Sequence, residues 1–336
     1  MALGGLEAIL RSPRGLLGEL VHDWRVTVAA KKALSVMLPG TLGFKANEAC
    51  VRFLRGYVDR TDSKKRTEKG IANLALLKRE TGVSFNDANV LEIGTGWHGI
   101  DLVLFNLVGA RRIYTVDHYQ HLTLQSLRAH TPEILSPWSL QCLSELAPGV
   151  RERAAALDWE KWTTLSEALR DLNVTALISK SCLTTHLPIP PESIDIWYSE
   201  SILHRIPQRE LALLLSDIAQ RLMRHDGICF HRTDQCDVNS HAHIDPSLWR
   251  LAYLKYPDWF FDAFISGRFN SQNRLRESDF IALLEAAGVR VLFKESVIHE
   301  EDLERMRSFT VAKRFRSKSL EDLATVRSTL IGRKGN

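Results

Sequence analysis

The sequence predicts an α/β protein built on a seven-stranded, mostly parallel sheet with an antiparallel last strand. Three observations carry this. From Asn89 onward, short apolar runs alternate with longer stretches of helical periodicity. The first run, Asn89–Ile93, ends in the glycine turn Gly94-Thr95-Gly96 and leads into a helical stretch, the order strand, tight turn, helix. The chain has 336 residues, 45% hydrophobic and 25% charged, enough apolar sequence for a large core.

The elements follow in order. Residues 1–87 read as helical: Gly15–Leu38, broken by Pro39-Gly40; about Asn47–Val58; and Lys69–Glu80, closed by Thr81-Gly82. Asp62–Lys69 (DSKKRTEK) reads as a solvated helix start or loop, with a basic patch for an anionic substrate as the alternative. Arg25, Lys31 and Lys32 lie among apolar residues, so a helix resting on a membrane surface is an alternative to one packed on the main domain; packing is the preferred reading. Strands are expected at Val90–Ile93, Arg112–Val116, Val174–Ser179, Ile194–Ser199, Gly227–Arg232, Val289–Lys294 and Phe309–Lys313. Helices are expected at Trp97–Val108, His121–His130, Trp159–Asp171, Gln208–Arg224 and Glu277–Ala287. Strands alternating with helices imply a sheet covered on both faces. No long helix separates the last two strands, so they can pair antiparallel. Two connections are long: Thr131–Asp158, and the aromatic-rich Thr233–Arg276. The tail Leu320–Gly332 reads as a surface helix. The expected organisation is therefore a helical segment 1–87 on or over the site, a main domain 88–315 with the insertion 233–276 as lid or substrate wall, and a C-terminal helix and tail 316–336.

A formal net charge of +4 over this length is a weak argument for nucleic acid, and none is expected as a partner. Five scattered cysteines, an odd count without a C-x-x-C pair, suit free thiols in a reducing compartment. The N-terminus lacks the unbroken apolar core of a signal peptide, and no run approaches the roughly 20 apolar residues of a spanning helix. A cytoplasmic protein is expected; its oligomeric state is not legible.

Gly94-Thr95-Gly96-Trp97-His98-Gly99 matches G-x-G-x-x-G, which promises a nucleotide without choosing one. Glycines let a ligand approach the backbone, and the following helix presents unpaired N–H groups to it. The choice falls to Glu92, two residues before the first glycine. A carboxylate there disfavours a pyrophosphate and suits S-adenosyl-L-methionine, which has no phosphate and carries an ammonium and a sulfonium. Asp117, at the tip of the second strand, can accept both ribose hydroxyls. His118 and Tyr119 follow and can flank an adenine.

VLEIGTGWHG, IYTVDHY and LPIPPESIDIWYSESILHRI, in that order and spacing, resemble a class I S-adenosylmethionine-dependent methyltransferase with a type 11-like domain, over roughly Asn89–Lys313. The resemblance implies a Rossmann-like seven-stranded sheet with the cofactor across the carboxyl ends of the first strands. It places Glu92, Gly94, Thr95 and Gly96 beside the methionine part, Asp117 on the ribose, and Ser199 and Glu200 at the mouth shared by cofactor and substrate. The acidic residue that often meets the adenine amino group after the third strand is absent from Ser179–Thr184; Ser181, Cys182 or a backbone carbonyl would substitute. The turn also carries His98 where many members have a third glycine.

Methyl transfer is an in-line displacement in which positioning supplies much of the rate, so no catalytic motif is obligatory. Candidate bases are His204 in SILHRI, which resembles the histidine of an L-E-H motif, then Glu200, and His241 or His243 in the polar stretch 231–245. The same histidines, with Cys236 and nearby carboxylates, give only a weak metal signal, and no metal is expected. Asn273, Arg274 and Arg276 can bind an anionic or sugar-like acceptor, or cap and pair near a helix start. The preferred reading is methyl transfer to a small-molecule acceptor at oxygen or nitrogen. The alternatives are a nicotinamide-dependent oxidoreductase and a non-catalytic S-adenosylmethionine-binding module.

Overall fold

The computed structural model describes residues 63–178, 187–237, 249–266 and 271–335. The described elements that build the fold are α1 (Ser63–Thr81), β1 (Asn89–Ile93), α2 (Ile100–Leu107), β2 (Arg112–Asp117), α3 (Leu124–Ile134), α4 (Pro137–Leu146), α5 (Val150–Ala156), α6 (Leu165–Asp171), β3 (Val174–Ile178), β4 (Ile194–Glu200), α7 (Gln208–Asp217), β5 (Met223–Asp234), α8 (Glu277–Ala286), β6 (Val289–Ile298), α9 (Glu300–Ser308), α10 (Leu320–Ala324) and β7 (Thr325–Lys334).

The strands form one seven-stranded sheet in the order β3-β2-β1-β4-β5-β7-β6. β1 pairs parallel with β2 and β4, β2 with β3, and β4 with β5. β7 runs antiparallel to β5: Arg232 Nε donates to Thr329 Oγ1 at 3.2 Å, while Gly332, further along β7, lies against Cys229, earlier on β5. It opposes β6 in the same way, with Thr329 beside Glu295 and Gly332 beside Val289 and Arg290. The expected antiparallel last strand is present, inserted between β5 and β6.

β1 is central and buried along its whole length, which is why it reads as a short apolar run rather than an alternating one. The helix after the turn begins at Ile100, three residues later than Trp97. Gly94, Gly96 and Gly99 all take positive φ, and the helix starts only after Gly99 in the left-handed conformation. α2 then buries Leu102 through Leu107 in the main core, with Leu74 and Leu77 of α1 and Ile113, Ile196 and Phe230 of the sheet. The long connection 131–158 is largely helical, carrying the end of α3, then α4 and α5, and its Leu143 and Val150 join that core.

The chain divides into two compact units. One comprises Val58–Asp234, Glu277–Ser296 and Ser328–Asn336, which hold the sheet core and its helices. The other has its described residues within Gln235–Arg276 and Val297–Arg327, where Leu251, Tyr253, Leu254, Phe261, Met306 and Phe315 form a second apolar cluster. Of the insertion's aromatics, Trp249, Tyr253, Tyr256 and Phe261 therefore serve as core, whereas Trp259 is exposed.

The seventh strand is not where the sequence puts it. Phe309–Lys313 forms no strand: Ala312 and Phe315 are buried in the second cluster, and Ala312 N donates to Leu254 O at 2.9 Å. The tail, expected to be a helix, is the five-residue α10 followed by β7. Leu323, Val326, Leu330 and Ile331 recur at a spacing that suits a helix, but the β-branched run Thr325–Ile331 fits a sheet interior, where all but Arg327 are buried. No described helix is long and apolar enough to cross a membrane.

Candidate cofactor site

Strand alternation at the carboxyl ends of β1, β2, β4 and β5 sorts the side chains onto two faces. Glu92 is in register with Thr115 and Tyr198, and Tyr198 and Glu200 with Phe230 and Arg232. On the other face Trp197 and Ser199 are in register with Cys229 and His231.

The first face is acidic and buried. Glu92 is 3% exposed and accepts a hydrogen bond from Thr115 Oγ1 at 2.6 Å, and Thr115 meets Thr95 Oγ1 at 2.5 Å. Burial, then the nearby Asp101 carboxylate, push Glu92 up to about 8. Asp101, in the first turn of α2, is pushed up to about 7 by burial and by Glu200. Tyr198 OH donates to Asp101 Oδ1 at 3.3 Å and is itself held well above its ordinary range by burial. Asn73 of α1 donates from Nδ2 to both Tyr198 OH and Glu200 Oε2, each at 2.9 Å. Lys69, one turn earlier, ion-pairs with Glu200 Oε1. Gly70 makes that approach feasible: a Cβ there would lie 2.4 Å from Leu104 Cδ1 and 3.1 Å from Asp101 Oδ1.

The turn is fixed from both sides. Gly94 N donates to Val116 O at 2.8 Å, and Gly96 N to Asp117 Oδ2 at 3.0 Å. Asp117 Oδ1 accepts from Tyr119 N at 3.3 Å, which leaves each carboxylate oxygen a second lone pair for a ribose hydroxyl. A Cβ on Gly94 would strike the Ile202 side chain at 2.8 Å, whereas on Gly96 it would meet nothing closer than 3.8 Å, so the open side of the turn is at Gly96. Beside Asp117, His118 packs edge-on to Tyr119 (ring centroids 4.5 Å apart), and His121 stacks on Trp97 (4.4 Å).

The sheet order, the single antiparallel strand between β5 and β6, and the glycine turn after β1 settle the architecture. The fold is the Rossmann-like, seven-stranded sheet with one antiparallel strand that the sequence resemblance to class I S-adenosylmethionine-dependent methyltransferases implies. Solved methyltransferase structures resemble the chain weakly. A chain from the complex between the Haloferax volcanii Trm112 methyltransferase activator and a candidate methyltransferase is 14% identical, with 86% of this chain and 96% of that chain covered and a TM-score of 0.43. The Streptomyces coelicolor geranyl diphosphate C-methyltransferase, solved with Mg2+, geranyl-S-thiolodiphosphate and S-adenosyl-L-homocysteine, is 11% identical, with 78% and 75% covered and a TM-score of 0.43. A Methanosarcina mazei S-adenosylmethionine-dependent methyltransferase is 12% identical, with 74% and 93% covered and a TM-score of 0.41. No protein-family model and no curated protein matches.

The residues singled out in the sequence fall into five groups. Glu92, Gly94, Thr95, Gly96, Asp117 and His118 are gathered around the turn and the tip of β2. Glu200 lies on the Glu92 face, but Lys69, Asn73 and Ser201 already hold its carboxylate. Ser199 lies on the opposite face, fully buried, bonded to His231 Nδ1 at 2.9 Å. His204 is buried in the short 3-10 turn Leu203–Arg205 after β4. Ser181, Cys182 and His243 lie outside the described residues, as does His241.

Asn273, Arg274 and Arg276 have structural roles. The Arg276 guanidinium is fully buried and donates to the carbonyls of Gln235, Asp322, Leu323 and Thr325 and to Tyr253 OH. Arg274 lies 4.2 Å over the Phe261 ring, donates to Tyr256 O at 2.7 Å and ion-pairs with Asp258. Asn273 Oδ1 accepts from Leu275 N at 3.0 Å.

Sequence reasoning missed Lys69, Asn73, Asp101 and Tyr198. Asp101 had a local signal, an acid in the first turn of a helix that opens at a glycine turn. Asn73 had none, because its partners lie 125 and 127 residues away.

Proposed function

We propose that the protein binds S-adenosyl-L-methionine and transfers its methyl group to a small-molecule acceptor at oxygen or nitrogen. The observation that carries this reading is the charge beneath the glycine turn. Asp101 and Asp117 each act on Glu92 through space, and Glu200 acts on Asp101. A pyrophosphate would be repelled there, whereas an ammonium and a sulfonium are attracted. The donor set fits the cofactor in two further respects. Among the described residues nothing fills the space beside Gly96, and no donor meets the buried acceptor Asn73 Oδ1.

In this reading Glu92, Gly94, Thr95 and Gly96 border the methionine end. Asp117 accepts the ribose hydroxyls, and His118, Tyr119, Trp97 and His121 flank the adenine, with Ser181 and Cys182 near its amino group. The bound cofactor supplies an electrophilic methyl on a sulfonium. The chain's own contribution is to hold nucleophile, carbon and sulfur in line and to exclude water. Glu200, tied by Lys69 and Asn73, acts as a fixed anion rather than as a proton acceptor. His204 and His243 remain the candidate bases.

Calorimetry tests the reading. S-adenosylmethionine and S-adenosylhomocysteine are expected to bind at about micromolar Kd, roughly 8 kcal/mol. Asp117→Ala is expected to weaken both about tenfold or more. Absence of heat with either ligand from folded protein would overturn it, and a spectral titration with NADH is expected to show no binding.

A further inference from the structure

The acidic face carries more than a preference for cations. Among the described residues its groups come from five elements: Lys69 and Asn73 from α1, Glu92 from β1, Asp101 from α2, Thr115 and Asp117 from β2, and Tyr198 and Glu200 from β4, with Arg232 from β5 acting on Asp101. Lys69 is committed to Glu200, and Arg232 donates to Thr329 and lies 5.9 Å over the Phe230 ring. Glu92 and Asp101 have no ion pair of their own among the described contacts; they have the Thr115 and Tyr198 hydroxyls instead. A buried carboxylate, Glu92, and its part-buried neighbour, Asp101, without a paired cation disfavour double ionisation, so the ligand-free cluster holds a proton. A second, independent observation points to what replaces it. Asn73 spends both Nδ2 hydrogens on Tyr198 and Glu200, and its Oδ1, in a residue 1% exposed, is left without a donor. An orphaned acceptor beside carboxylates calls for a ligand that is both a cation and a donor of several hydrogen bonds, which is an ammonium.

Resting on the cofactor reading, we infer that this cluster exchanges a proton for the α-ammonium of the cofactor's amino-acid end, with Asn73 Oδ1 accepting one ammonium hydrogen. The carboxylic acid proton leaves to solvent as the ammonium enters, so the cluster's charge stays balanced. Cofactor uptake thus releases protons, and affinity falls as pH falls. Glu92 and Asp101, raised to about 8 and about 7, place the effect near neutrality.

The test is calorimetry of the full chain with S-adenosylhomocysteine, which has the ammonium but no sulfonium. It is run from pH 6.0 to 7.0, below the usual α-amino range of about 7.7–8.0, so that the ligand keeps its charge. Titration in buffers of different ionisation heat is expected to show net proton release, and Kd to tighten about three- to tenfold across that unit of pH, one full proton giving the upper figure. Methylthioadenosine, with the nucleoside but no amino-acid group, is expected to bind with no pH dependence. Asp101→Asn, which keeps the shape of the protonated acid, is expected to reduce the slope, and Asn73→Ala to weaken S-adenosylhomocysteine but not methylthioadenosine. Binding with equal heats in all buffers and a flat Kd would overturn the inference and leave the cofactor reading standing. The same slope with methylthioadenosine would also overturn the inference. No binding at any pH would overturn the cofactor reading itself.

Discussion

The two faces at the end of β4 put adjacent residues under the same burial with opposite consequences. On one, Tyr198 and Glu200 join Glu92 and Asp101 in a network that reaches α1 and α2. On the other, Trp197 and Ser199 surround His231, whose ring lies 4.4 Å from Trp197 and whose Nδ1 meets Ser199 Oγ. Desolvation disfavours charge of either sign, so it raises the carboxylates and lowers the imidazole, His231 to about 3. Both faces hold unpartnered polar atoms, Asn73 Oδ1 on the first and Trp197 Nε1 and His231 Nε2 on the second, but only the first joins them to carboxylates and an open glycine turn. Burial alone does not make a site; burial of like charges beside room for a ligand does.

The largest expected effect separates the faces by function. Glu92→Lys should cost cofactor affinity at least about a hundredfold, roughly 2.7 kcal/mol, because a cation then occupies the place meant for one. His231→Gln should leave affinity within about threefold, measured by the same titration. Equal losses would erase the functional contrast.

Next comes the pH dependence of stability, where the signs oppose. Glu92 has its folded pKa above its unfolded value, so its contribution is present below about 4.5 and is lost as pH rises through about 8. His231 has its folded pKa below its unfolded value, so its contribution is present above about 6.5 and is lost as pH falls toward about 3. Melting temperatures of the ligand-free protein should fall on both sides of a slightly acidic maximum. Glu92→Gln should flatten the alkaline limb and His231→Gln the acidic one; a variant that flattens the opposite limb would contradict the assignment.

The smallest effects compare single hydroxyls. Tyr198→Phe removes the donor to Asp101 and the acceptor for Asn73, and Ser199→Ala removes the partner of His231. Each should destabilise by about 1–3 kcal/mol in urea unfolding. Only Tyr198→Phe should also weaken cofactor binding.

The turn and its two carboxylates were legible because strand, glycines and acids are neighbours in sequence, and positive φ at Gly94 and Gly96 is a local demand. β7 was not, because Leu323, Val326, Leu330 and Ile331 satisfy a helical spacing and only the pairing with β5 and β6 decides. Arg276 was left between acceptor binding and pairing near a helix start for a related reason: a basic residue before a helix looks solvent-facing until distant carbonyls, 46 to 49 residues away, surround it. The α1 side chains belong to the same class. Their spacing marks a helix face, but what that face meets is set by the sheet.

The measurement closest to the central claim is a crystal structure of the full chain with S-adenosylhomocysteine. The account predicts the ribose hydroxyls on Asp117 and the amino-acid end among Glu92, Asp101 and Asn73, beside the open side of Gly96. A ligand bound away from the glycine turn, or one that turns its amino-acid end from the Glu92 face, would contradict it.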